Sequence, residues 1–277
     1  MAREYLFAST RRVARTSLWM PAADCHDIRL AFDKGILGQN SRIIAVERDP
    51  ATFITMRTTL RKIARERKLH HEPVLINAPL HTVALDQSLD FAFLDLCGTC
   101  DAPILCWVEY VFAPKLAKGA ELAVTCTYAK RNSSFLQDCR DTLLYQWHAL
   151  YNEFAHSHDY YDRHNDNREY EPIVVPALLL KCALYRYDSR LRQPKCYGDD
   201  MPMIAFKFSD IKDHPGTPYY PSFSEVYMRT LLQQRSAKII PLVAKPSRRP
   251  LVSTITSSRS EAARKAAETR RRNSMIK

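Results

Sequence analysis

The chain has 277 residues, 46% of them hydrophobic, and a formal charge of +11. That length suits one large α/β domain with an appendage, and no apolar run reaches the roughly 18 residues that would span a bilayer. The charge is uneven: Ser236 to Lys277 holds 11 Lys+Arg against 2 Asp+Glu, so a segment of +9 follows a nearly neutral body.

Arg3 to Val13 reads as a short helix with Tyr5, Leu6, Ala8 and Val13 available for packing. Ser17 to Ala22 reads as a first strand, and Ala23 to Asp27 as a polar turn. The basic residues before this point precede an apolar stretch too short for an export signal. A helix from Ile28 to Ile36 follows, with Gly35 and Gly38 near its end. Arg42 to Val46 is a β-branched second strand ending in Glu47. Asp49 and Pro50 then serve as N-cap and first-turn proline of a helix running to about Leu69. Phe53, Met56, Leu60 and Ile63 form its apolar stripe, and its Arg and Lys residues read as a solvated face.

Pro73 to Ile76 is a third strand, closed by Asn77. The central strand, Asp90 to Leu94, is apolar on both faces, as a buried parallel strand should be. Asp95 ends it, ahead of Cys97 and Gly98. Ligands of open α/β sheets bind at such carboxyl ends, although a helix-capping Asp is the plainer alternative. Pro103 to Leu116 reads as a helix, Glu121 to Thr127 as a fifth strand, and Ser133 or Ser134 caps a helix towards Phe154. Lys181 to Tyr187 and Met203 to Phe208 read as two closing strands, and Ser224 to Gln234 as a helix.

Repeated strand-helix alternation with two closing strands argues α/β architecture. The expected form is a doubly wound, mostly parallel seven-stranded sheet with helices on both faces and a closing antiparallel hairpin. The stretch from about Thr16 to Phe208 resembles a class I, Rossmann-like, S-adenosylmethionine-dependent methyltransferase with a degenerate first motif. The resemblance implies S-adenosylmethionine as cofactor. It puts Glu47 on the ribose hydroxyls and Asn77 at the adenine amino group. Asp95 falls in the fourth motif, where nucleic-acid amino-methyltransferases carry Asp or Asn with two prolines and an aromatic. The prolines and the aromatic are missing here. The glycine-rich first motif is replaced by Pro21-Ala22-Ala23-Asp24-Cys25. Ala22 and Asp24 would face the methionine part, and Asp24 or Asp27 is equally suited to capping the next helix.

Two further clusters stand out. Cys97 and Cys100 lack the second pair that a structural zinc site needs, so ordinary reduced thiols are expected and no metal is assigned. His156 to Glu171 is a polar insertion of about residues 156–176. Its Tyr160, Tyr161 and Arg163 suit stacking on exposed bases.

The expected domains are 1–235 for the sheet, 236–259 for a flexible basic linker and 260–272 for a basic helical tail. Ser260 is a natural N-cap for that tail, and Arg264, Lys265, Arg270, Arg271 and Arg272 make it a candidate nucleic-acid anchor. It resembles basic alanine-rich helices of phage and mobile-element DNA-associated proteins.

Two function classes follow. The first is a cytoplasmic enzyme methylating nucleic acid, with DNA favoured. Asp95 would position the target amine, and Cys97 is a weaker candidate as nucleophile. The second is a catalytically inactive methyltransferase-like protein that binds nucleic acid or serves assembly, encoded by a phage and so placed in host cytoplasm. A nucleotide-binding enzyme using the same crevice is a third. No membrane partner is expected, and oligomeric state has no sequence signal.

Overall fold

The computed structural model describes residues 2–8, 10, 12–96, 101–127, 171–197, 203–213, 216 and 222–239. The chain divides into compact units at 1–236 and 237–277. Seven strands form one sheet: β1 (Thr16–Trp19), β2 (Arg42–Glu47), β3 (Val74–Asn77), β4 (Leu89–Leu96), β5 (Leu116–Thr127), β6 (Tyr187–Tyr197) and β7 (Met203–Asp213). Their order across the sheet is β3-β2-β1-β4-β5-β7-β6. The first five pair in parallel, and β7 runs antiparallel to both β5 and β6. The expected doubly wound sheet and closing antiparallel hairpin are both present.

β4 is the central strand because both its faces are apolar. Phe91, Ala92, Phe93 and Leu94 are all buried. On one side Phe91 and Phe93 pack with Trp19 and with Phe7 from α1 (Ala2–Phe7), at ring centroid separations of 5.2 to 6.1 Å. On the other, Ala92 and Leu94 meet Leu122, Val124 and Phe206 in a second apolar cluster. Aromatic pairs in such edge and tilted arrangements add to area burial.

α2 (His26–Asp33) and α3 (Pro50–Glu66) follow the first two strands. α3 starts where the sequence places it: Asp49 Oδ2 accepts from Thr52 N at 2.7 Å, with Pro50 in the first turn. Met56, Leu60 and Ile63 are fully buried, as the helical spacing requires.

Several boundaries differ from the sequence reading. α1 stops at Phe7 instead of Val13; Thr10 Oγ1 there accepts from the buried Lys207 Nζ at 2.7 Å. The helix expected over Pro103–Leu116 is α4 (Ala102–Trp107) followed by a wide turn over Val108–Phe112 and a tight one over Ala113–Lys115. Pro114 has no N–H to continue the ladder. β5 begins at Leu116, before Gly119, whose φ of 80° lies where the register with β4 shifts.

The strand expected over Lys181–Tyr187 is corrected. α5 (Glu171–Ala183) fills most of it and β6 begins only at Tyr187. Residues 177–180 and 182–184 are buried without a polar face, so they show no helical period to distinguish them from a strand. α5 thus begins within the last residues of the expected insertion, whose earlier part lies outside the described residues. α6 (Phe223–Ile239) is longer than expected at both ends. The helix expected after Ser133, the linker from residue 240 onwards and the basic tail lie outside the described residues.

Candidate active-site crevice

From β1 the chain builds outward to β2 and β3, and from β4 outward to β5. The sheet order therefore reverses between β1 and β4. In doubly wound sheets the crevice above this point, at the carboxyl ends of the strands, is where ligands bind. Ala22, Asp24, Glu47, Asn77 and Asp95 all fall on this edge, carried by the ends of four strands.

Glu47 and Asn77 are register partners at the ends of β2 and β3. Asn77 Nδ2 donates to the carbonyls of Glu47 at 2.8 Å and Arg48 at 3.3 Å. That ties down the backbone after β2 and commits the amide nitrogen, so the Asn77 carbonyl oxygen is its remaining acceptor. Glu47 Oε1 accepts from Asp49 N at 2.7 Å, which orients the carboxylate. Asp24 is exposed, and its Oδ1 accepts from His26 N at 3.2 Å, so it caps α2. The plainer reading of this residue thus describes at least one of its oxygens. Ala22 is exposed.

The turn after β1 contains no glycine, yet it does adopt a left-handed residue: Cys25 has φ 49°. Its thiol is fully buried, 3.7 Å from the Met56 carbonyl, and burial pushes its pKa up to about 12. It is a packed thiol and not a nucleophile.

Asp95 lies inside β4, not beyond its end, and pairs in register with Thr125. Thr125 Oγ1 donates to Asp95 Oδ1, and Arg3 Nη2 is 3.3 Å from Asp95 Oδ2. Arg3 also reaches into α2: its Nε is 2.5 Å from Asp27 Oδ1. Asp27 is 1% exposed, and neither of its oxygens sits in hydrogen-bonding geometry, so the ion pair with Arg3 is its compensation. Burial raises its carboxyl to about 6 against the pull of the Arg3 guanidinium, and the Asp95 charge adds to the rise. The site is thus a guanidinium between two carboxylates at the carboxyl ends of β1 and β4.

Sequence reasoning missed Arg3 altogether and saw Asp27 only as a possible cap. The one signal available was a buried-side position in an amphipathic helix filled by an acid. Cys97, Tyr160, Tyr161, Arg163 and the tail residues Arg264, Lys265, Arg270, Arg271 and Arg272 lie outside the described residues.

The strand order, with the sixth and seventh strands exchanged and only the seventh antiparallel, fits the doubly wound sheet with a closing hairpin that the sequence leads one to expect. No family model matches the chain, and neither does any curated protein. Solved structures do resemble it. One is an arsenic(III) S-adenosylmethionine methyltransferase from Chlamydomonas reinhardtii, at 13% identity over 78% of this chain and 75% of that one, TM-score 0.45. Another is an rRNA methylase from Streptococcus thermophilus, at 10% identity over 76% and 94%, TM-score 0.41. A third is an O-methyltransferase from Bacillus cereus in complex with SAH, at 12% identity over 75% and 78%, TM-score 0.40. Among the described residues no helix is long and apolar enough to cross a membrane.

Proposed function

We propose that the chain is an S-adenosylmethionine-dependent methyltransferase acting on nucleic acid, DNA before RNA. The observation that carries the reading is the chemistry of the carboxyl edge. A nucleoside needs acceptors for its ribose hydroxyls and adenine amino group, and Glu47 and the Asn77 carbonyl supply them on adjacent strand ends. The methionine end of the cofactor is a zwitterion, and the crevice holds a guanidinium beside carboxylates, Arg3 with Asp27 and Asp95. Bound there, the cofactor supplies an electrophilic methyl group on a sulfonium sulfur.

The protein's own residues do the rest by positioning. Thr125 and Arg3 hold the two oxygens of Asp95 in a defined orientation, so Asp95 can accept a hydrogen bond from a target amine and align its lone pair. The nucleic-acid substrate class rests on the +9 carried by residues 236–277, and Tyr160, Tyr161 and Arg163 would contact an exposed base.

A second reading is an inactive methyltransferase-like nucleic-acid-binding protein. It is favoured by Pro21-Ala22-Ala23-Asp24-Cys25, which places side chains where the fold usually offers glycine, and by Arg3 engaging Asp95. Calorimetry with S-adenosylmethionine and its demethylated product separates the two. Binding of both supports the enzyme. No heat at millimolar ligand refutes it and leaves the second reading standing.

A further inference from the structure

We propose that the opposite, amino edge of the sheet carries a second site: two adjoining basic clefts that hold successive phosphates of a nucleic-acid backbone. The inference stands or falls independently of cofactor binding, since it lies at the other end of the strands. Arg42 opens β2 and Glu47 closes it. Five residue steps at about 3.3 Å put the two edges roughly 17 Å apart.

The first cleft, about 600 Å³, lies where β1 and β2 begin. Arg15, Thr16, Asn40, Ser41 and Arg42 supply its polar lining. Its backbone is pinned from three directions. Arg42 N donates to Arg15 O at 2.7 Å. Ser41 Oγ accepts from Gly38 N at 3.0 Å and donates to Ala14 O at 2.6 Å. Asp90 Oδ2 accepts from both Arg15 N and Thr16 N at 3.0 Å. Two arginines therefore line one cleft on segments joined by a backbone hydrogen bond. Both are exposed, and among the described residues neither pairs with a carboxylate. Asp90 is the acid bonded to this segment, and its Oδ2 is committed to the two amides. Like charges so placed repel each other unless an anion joins them.

The second cleft, about 420 Å³, lies past the end of α3, lined by Arg61, Arg65, Lys68, His71 and Glu72 among others. Arg61 is 3.4 Å from Glu72, but Arg65 and Lys68 have no carboxylate partner among the described residues. Lys68 is held in the left-handed region at φ 54°, and Leu69 N closes the turn onto Ala64 O at 2.9 Å. His70 ties the clefts together: its N donates to Gln39 O at 2.9 Å and its Nδ1 lies 2.7 Å from Asn40 Oδ1.

Residues 1–72 hold 14 Lys+Arg against 8 Asp+Glu. Three of these acids are paired with other cations of the region: Glu66 with Arg29, Asp33 with Arg67 and Glu72 with Arg61. Arg15, Arg42, Arg65 and Lys68 are left as cations without acids. Guanidinium forks beside Ser, Thr and Asn side chains suit phosphate oxygens. A single phosphate would occupy one cleft only. A polynucleotide, with one phosphate per about 3.4 Å of each strand, can answer both.

The test is binding of the full chain to an unrelated duplex of about 25 base pairs, followed by anisotropy from about 50 to 300 mM salt. Three doubles are compared with wild type: Arg15→Ala/Arg42→Ala, Arg65→Ala/Lys68→Ala, and Arg190→Ala/Lys212→Ala as a charge-matched control on the far hairpin. Circular dichroism confirms that each is folded. Each cleft double should lower the slope of log affinity against log salt by about 1.8, at about 0.9 for each phosphate no longer neutralised, while the control leaves it unchanged. Slopes unchanged in both cleft doubles, or lowered equally by the control, overturn the proposal. Titration with inorganic phosphate at matched ionic strength separates the remaining source. Cleft-dependent phosphate binding with cleft-independent duplex binding means a small-anion site, and also overturns it.

Discussion

Asp27 offers the sharpest test of the crevice. Its carboxyl is raised from 3.8 to about 6 by burial, with Arg3 opposing and Asp95 adding to the rise. The folded chain therefore binds this proton more tightly than the unfolded chain does. Between those two values the unfolded state loses the proton first, so stability must fall as pH rises through that window. One pKa unit is worth about 1.4 kcal/mol, and integrating from about pH 4 to about pH 7 gives a loss of about 2 kcal/mol from this one group. Asp27→Asn preserves the shape and removes the titration. It also deprives Arg3 of an anionic partner, which adds an offset that Asp27 titration does not change. The difference in unfolding free energy between variant and wild type should therefore shift by about 2 kcal/mol in the variant's favour from pH 4 to pH 7. For a unit of this size that is roughly 4–8 °C in Tm. Urea titrations of both proteins at each pH measure it directly. Parallel pH profiles for the two would show that Asp27 titrates as it does in the unfolded chain, and the buried ion-pair account of the crevice would fail.

Glu47→Ala should weaken S-adenosylmethionine binding at least tenfold, because hydrogen bonds to a charged group are worth about 1.5–3 kcal/mol each. An unchanged Kd in a folded variant would move the ribose elsewhere. Asp95→Ala should abolish methyl transfer while leaving cofactor affinity within a few-fold; normal turnover per folded molecule would make Asp95 purely a partner for Thr125 and Arg3. Lys207 is fully buried with its Nζ 2.7 Å from Glu121 Oε2, so Lys207→Met strands that carboxylate at a cost of about 3–5 kcal/mol. Lys207→Met/Glu121→Leu should recover most of this, and equal losses in single and double variants would refute the pairing. Replacing Arg270, Arg271 and Arg272 by Ala should flatten the salt slope of duplex binding by about 2.7 if each engages a phosphate; an unaltered slope would remove the tail from the nucleic-acid interface.

The arrangement of Arg3 bears on both readings of function. A guanidinium shared by Asp27 and Asp95 orders the crevice before any ligand arrives, and a zwitterion could exchange partners with it at little net loss of ion pairing. The same contact, left unbroken, would occupy the carboxylate that a target amine needs. Calorimetry and the Asp95→Ala assay decide between these uses.

What the amino-acid sequence determined by itself were the features written in neighbouring residues. The Asp49-Pro50 start of α3, its buried stripe, the two-sided apolar character of β4 and the acid and amide ending β2 and β3 were all legible. Each follows from local backbone chemistry or from a periodicity of one element. The doubly wound, mostly parallel sheet with its closing hairpin was inferred from alternation, and the structure bears it out; the strand order itself came only from the structure. α5 was not legible, because a helix buried on all sides has no period to reveal it. Nor were the two charged sites. Arg3 meets Asp95 across 92 positions, and Arg15 and Arg42 line one cleft only because β1 and β2 pair in register. Which charges find a counter-ion and which are left bare depends on which strand ends and helix turns come together. That is a property of the packed sheet, and no local pattern encodes it.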